Sequence, residues 1–249
     1  MPPGNEMIHQ ATLVKICGIR KLEDAKIAAQ AGADYIGLVF VPGRPRCLDL
    51  DSAREITTGI KNLGADAPRV VGLFADQPLD EVNRTINDCG LDLAQLCGQE
   101  PLSYCENTEA EVIKVVHVKA GIDLNLGVEE EGSVIRDLIN LEDRVNLYTG
   151  PGHIVTLDRL VDGIPGGTGQ SFNWDVAAHL SGRGHSFILA GGLTPDTVAQ
   201  AIDVVQPWGV DVSSGVETGG VKDPDKIRTF IRNAKGALAQ AEPNMVEEV

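Results

Sequence analysis

A chain of 249 residues, 43% of them hydrophobic, is long enough to bury one large α/β core or two small ones. It contains no apolar run near the roughly 20 residues that a membrane helix needs. A net charge of −15 sets it against nucleic acid and anionic membranes, so an anionic small-molecule substrate has to be captured by a local positive site against the global field.

Residues 1–12 lack the basic and apolar segments of a secretory signal. The five cysteines form no CxxC pair and the histidines show no HxxxH or HExxH spacing. This points to a reducing cytoplasm, with no bound metal expected. In that compartment the glycosylation match at Asn83-Arg84-Thr85 is accidental.

Strand-length apolar runs begin at residues 13–17, 35–40, 70–74 and 93–97, and continue at 112–116, 154–158, 186–190 and 208–212. Amphipathic stretches at 22–30, 51–61, 79–87, 172–180, 195–205 and 224–241 separate them. Asp51 or Ser52, Thr194-Pro195 and Asp223-Pro224 read as helix starts, with a capping side chain before a helix-compatible proline in the last two. Strands that are nearly continuous in hydrophobicity and alternate with helices predict a parallel sheet covered on both faces. The predicted fold is α/β, a single (β/α)8 barrel over 1–249, with its core at about 13–241 and flexible ends at 1–12 and 242–249. A doubly wound open sheet is the alternative, but its GxGxxG fingerprint is missing: Gly-Ile-Arg-Lys-Leu-Glu-Asp follows Cys17. The long interval from Val116 to Ile154, with Glu129–Glu131 and the segment Tyr148–His153, reads as a solvated insertion around the fifth helix without a catalytic role.

In a barrel the C-terminal strand ends collect the chemistry. Side chains alternate along the first strand, so Lys15 and Cys17 share one face, which we assign to the interior. Asp211 and Ser213 share a face on the last strand, which neighbours the first once the barrel closes. A buried lysine requires a partner, and Asp211 is the evident one. A lone cysteine is elsewhere most often a small buried hydrophobe, yet Cys17 ends its strand one layer above a lysine. Asp158 ends the sixth strand, ahead of the glycine-rich segment Gly163–Gln170, whose Gly167 would let backbone approach a ligand closely. Ala190–Thr194, with Gly191 and Gly192, and Ser213–Glu217, with Ser214 and Gly215, offer backbone N–H groups for an anion such as phosphate. Arg44-Pro45-Arg46 is the one concentrated positive segment at this face, and an arginine fork suits a carboxylate. Gln95 and Cys97 would share the inward face of the fourth strand. His117 falls just past the fifth, where an isolated histidine reads as structural.

Six segments taken together resemble one family: LVKICGIR at 13–20, DYIGLVFVPGRPR at 34–46, VGLFAD at 71–76, GGTGQSFNW at 166–174, LAGGLTP at 189–195 and GVDVSSGVETGGVKD at 209–223. The chain is similar to phosphoribosylanthranilate isomerases, (β/α)8 barrels of tryptophan biosynthesis, from about Leu13 to Lys235. The closing segment resembles fungal members, some of which are domains of multifunctional enzymes. The resemblance implies Cys17 as general base, Asp158 as general acid and Arg46 at the substrate carboxylate. It puts the phosphate at Gly191, Gly192, Ser213, Ser214 and Gly215; Gln95, from its inward face, and Gly167, from its loop, are read from the residues themselves as further substrate contacts. Cys97 departs from the pattern, since the family usually has a histidine there. The implied reaction is the Amadori rearrangement of N-(5-phosphoribosyl)anthranilate without metal or redox cofactor, because the substrate's own iminium is the electron sink. Another sugar-phosphate barrel enzyme, or a non-catalytic barrel domain, remains the alternative.

Overall fold

The computed structural model describes residues 12–118, 131–161, 164–165 and 174–237. Eight parallel strands form the sheet: β1 (Leu13–Cys17), β2 (Tyr35–Val39), β3 (Arg69–Phe74), β4 (Leu93–Leu96), β5 (Glu111–Val118), β6 (Ile154–Val161), β7 (Ile188–Leu189) and β8 (Gly209–Val212). Sequential neighbours pair, β8 returns to β1, and β5 pairs with β6, so the sheet closes on itself and the open-sheet alternative is excluded. Around it lie α1 (Leu22–Gln30), α2 (Leu50–Lys61), α3 (Leu79–Cys89), α4 (Leu102–Glu106), α5 (Glu131–Thr149), α6 (Trp174–Gly182), α7 (Val198–Val205) and α8 (Pro224–Gly236).

The alternation along each strand divides the core in two. Val14 and Ile16 of β1 are fully buried in the shell between sheet and helices. Inside the barrel, Cys17, Tyr35, Val71, Leu73, Leu93, Ile113 and Ile188 form a second, smaller cluster. Every strand thus sends alternate residues inward, and the uppermost inward residues meet at the C-terminal mouth.

Several local expectations shift. Helix α2 begins at Leu50, and Asp49 rather than Asp51 or Ser52 is its cap: the Asp49 carboxylate accepts the Ser52 N–H at 2.8 Å. Asp223 caps α8 as anticipated, accepting from the N–H groups of Asp225 and Lys226 with Pro224 in the first turn. Helix α7 begins at Val198, because residues 194–197 form a turn in which the Thr197 hydroxyl accepts the Thr194 N–H at 3.0 Å. The long interval before β6 is partly the 19-residue α5, and its remainder at 119–130 lies outside the described residues. The same holds for Phe172, Asn173 and the chain ends at 1–11 and 238–249. Strand β6 continues past Asp158 to Val161, where a short antiparallel pairing with Ile164–Pro165 extends it.

Candidate active site

The base of the site is an ion pair. Lys15 and Asp211 are register partners on β1 and β8, and the Lys15 ammonium donates to Asp211 at 2.8 Å with the two side chains 1% and 9% exposed. The carboxylate keeps the lysine charged against the cost of burial, which moves its pKa above the ordinary value. Cys17 sits one layer higher at 6% exposure. Burial pushes its thiol pKa up, and the Lys15 ammonium, which favours the thiolate, only partly offsets this because desolvation outweighs the charge. Gly18 follows with φ 75°, and a side chain there would strike the Arg46 stem that passes over it.

Arg46 reaches this mouth already held. Its Nε and one terminal nitrogen donate to the two carboxylate oxygens of Glu217 at 2.7 Å each. Glu217 also accepts from the buried Lys222 at 2.8 Å, and Lys222 donates to the Ser213 carbonyl. Burial raises the Glu217 carboxyl, but the Arg46 and Lys222 hydrogen bonds outweigh it and bring the pKa down to about 2. Arg44, two residues away, lines the mouth half-buried. Sequence reasoning passed over Glu217 and Lys222 as a charge pair. The signal was legible: Gly219-Gly220 between Glu217–Thr218 and Val221–Lys222 is a two-residue hairpin turn, with φ 59° and 77°, that sets Glu217 opposite Lys222.

A cavity of about 440 Å³ opens at the C-terminal mouth. Cys17, Arg46, Gln95, Cys97, His117, Asp158, Gly191, Gly192, Asp211, Ser213, Ser214 and Gly215 all line it. The structure therefore brings together every sequence-predicted site residue except Gly167, which lies outside the described residues. Gly191 and Gly192 have φ 95° and 73°, and a side chain on Gly215 would run into the Leu193 carbonyl, so the loops after β7 and β8 approach each other as bare backbone. On the β4–β5 wall, the Gln95 amide donates to the Cys97 sulfur at 3.6 Å, and burial pushes the Cys97 thiol up to about 12. His117 is not beyond β5 but within it, pointing inward, register-paired with Asp158 of β6. The mouth thus combines a thiol, a carboxyl group, a forked arginine and a glycine-rich corner of bare backbone around one substrate-sized space.

The comparisons agree with this geometry. A family model described as N-(5'phosphoribosyl)anthranilate (PRA) isomerase matches residues 14–233. An N-(5'-phosphoribosyl)anthranilate isomerase of Geotalea uraniireducens is 44% identical over 228 residues, covering 90% of this chain and 99% of that one. Its namesake in Trichlorobacter lovleyi is 42% identical over 226 residues, covering 90% and 98%. The solved phosphoribosylanthranilate isomerase of Thermotoga maritima superposes with a TM-score of 0.72 at 33% identity, covering 90% of this chain and 99% of that one. A solved phosphoribosyl anthranilate isomerase holding reduced 1-(o-carboxyphenylamino)-1-deoxyribulose 5-phosphate superposes with a TM-score of 0.69 at 32% identity and the same coverage. The two sequence relatives are bacterial, and the fungal character read into the closing segment finds no support. The chain belongs to the N-(5'-phosphoribosyl)anthranilate isomerase family.

Proposed function

We propose that this barrel is an isomerase of tryptophan biosynthesis that converts N-(5-phosphoribosyl)anthranilate into 1-(2-carboxyphenylamino)-1-deoxyribulose 5-phosphate, with Cys17 and Asp158 as its proton-transfer pair. The observation that carries this reading is the single cavity lined by Cys17, Asp158, Arg46 and the glycine corner. The ligand held by the solved relative supports a space for an aryl-amino sugar phosphate. The phosphate docks at Gly191, Gly192, Ser213, Ser214 and Gly215, and Arg46 meets the anthranilate carboxylate with the part of its guanidinium that Glu217 leaves uncovered. Asp158, protonated, gives its proton to the furanose ring oxygen as the carbon–oxygen bond at C1′ breaks, leaving an iminium. Cys17 as thiolate then removes the C2′ proton, and the electron pair flows to the iminium nitrogen to form an enolamine. Ketonisation places a proton on C1′ and yields the ketose. Each acid–base step contributes about 10² to 10⁴-fold.

The relatives are covered over 98% and 99% of their length, so this barrel matches the whole of those bacterial isomerases. Cys17, Cys47, Cys89, Cys97 and Cys105 are all unpaired, which supports a reducing, cytoplasmic setting. No helix among the described residues is long and apolar enough to cross a membrane. Turnover of freshly prepared phosphoribosylanthranilate, followed by loss of anthranilate fluorescence, tests the assignment. A wild-type protein without turnover overturns it and leaves the non-catalytic barrel.

A further inference from the structure

The wall formed by β4 and β5 carries buried acceptors that the reaction above does not use. His117 is 8% exposed, and its Nε2 lies 3.1 Å from the Cys97 carbonyl oxygen. A carbonyl can only accept, so Nε2 carries the hydrogen, and in the neutral ring Nδ1 is left as an acceptor. That Nδ1 is buried and finds no hydrogen-bond partner among the described residues. Beside it, Gln95 at 5% exposure spends its amide N–H on the Cys97 sulfur, and its Oε1 is equally without a partner. A buried polar atom left unsatisfied costs stability, and these two line a cavity built to be occupied. His117 is also the register partner of Asp158 on the adjacent strand, so the vacant acceptor stands beside the group that protonates the sugar ring.

We propose that His117 is a substrate-binding residue: its Nδ1 accepts a hydrogen bond from a donor of the bound sugar amine, a pentose hydroxyl or the anilinic N–H, and Cys97 serves through its carbonyl to hold the imidazole in the accepting tautomer. The inference rests on the isomerase reading and adds to it a donor-reading wall opposite the anion corner. It follows that the site selects for a ligand that is anionic at its ends and hydrogen-bond donating in its middle.

Two conservative variants separate this role from a structural one. Asn at 117 sets an amide oxygen near the place of Nδ1 but does not reach the Cys97 carbonyl. Gln at 117 reaches that carbonyl with its N–H but leaves nothing at the Nδ1 position. With phosphoribosylanthranilate as the probe, His117→Gln should raise KM about three- to tenfold with kcat nearly unchanged, the scale of one neutral hydrogen bond, while His117→Asn, which keeps the acceptor and loses its anchor, should raise KM by less. The reverse order, equal losses in both, or no loss in either overturns the proposal. A wild-type protein that fails to turn over the substrate refutes the isomerase reading instead. Should either variant fold poorly, nitrogen NMR of the wild-type histidines decides: His117 should be protonated at Nε2, with Nδ1 shifting when the rearranged ketose phosphate binds. An Nδ1 signal that ignores the ligand overturns the proposal.

Discussion

Replacing Asp211 by Asn leaves the Lys15 ammonium, 1% exposed, without a countercharge inside the barrel. Neither charge has solvent to fall back on, so the loss should be about 3–5 kcal/mol, a large part of the ~5–15 kcal/mol that holds a domain of this kind. Urea unfolding at neutral pH measures it as a lower midpoint at unchanged slope. The internal control is Arg228→Ala on α8, which breaks an Arg228–Asp225 pair with side chains 53% and 92% exposed. That loss should be at most ~1 kcal/mol. Lys15→Met combined with Asp211→Leu should recover most of the stability, since apolar packing can stand in for a buried ion pair. The pH sign follows from the raised lysine: its contribution is complete below the unfolded value of about 10.4 and fades only as pH climbs through the folded one. The wild-type contribution of this lysine should therefore be flat from about pH 6 to 9. An Asp211→Asn loss no larger than that of the surface control would refute the reasoning.

Cys17→Ala should cut kcat by at least about 10²-fold with the unfolding midpoint little changed; near-normal turnover would remove Cys17 as the base. Because burial raises the thiol, kcat/KM should climb toward alkaline pH with a midpoint above 9.0, moved further up by Lys15→Met and down by Asp211→Asn. Arg46→Ala should raise KM about 10- to 100-fold with a smaller change in kcat, whereas Arg44→Ala should change little; the larger effect at Arg44 would move the carboxylate site. Glu217, whose Arg46 and Lys222 hydrogen bonds outweigh burial and bring its carboxyl down to about 2, contributes stability that is present above the unfolded value and lost as pH falls toward 2. Glu217→Gln should therefore flatten the acid limb of the stability curve between about pH 5 and 2, and an unchanged acid limb would remove this carboxylate from the ledger.

The barrel was legible because its signals are local and repeated: each strand is a short apolar run, and alternation alone puts Lys15, Cys17 and Asp211 on inner faces. The site was legible for the same reason, since strand ends are where inward residues become accessible. What escaped depends on balances between neighbours far apart in sequence. The Cys17 thiol is governed by how much desolvation outruns the Lys15 charge, a quantity set by packing from opposite ends of the chain. His117 was placed one step too late because nothing in its neighbourhood ends β5: the strand continues through Val118 alongside an equally extended β6. The Arg46–Glu217 fork joins residues 171 apart, and only the hairpin turn hinted at one of its members.

The charge arrangement at the mouth carries a consequence for how an acidic protein holds an anionic substrate. Lys15 is matched by Asp211, and Arg46 and Lys222 share Glu217. Lys15 is thereby neutralised within the protein, whereas Arg46 and Lys222 have one carboxylate between them and keep a net positive charge at the mouth. Arg46 adds position to charge: in the proposed reaction a guanidinium held at two points by Glu217 meets the substrate carboxylate with less rotamer freedom left to lose. In the proposed reaction the phosphate end rests on backbone N–H groups, which bring fixed partial charge without a side chain to desolvate. The glycines at 191, 192 and 215 in the loops after β7 and β8 fit that proposal. A side chain on Gly215 would collide with the Leu193 carbonyl, so enlarging it would part the two loops and with them the proposed phosphate site.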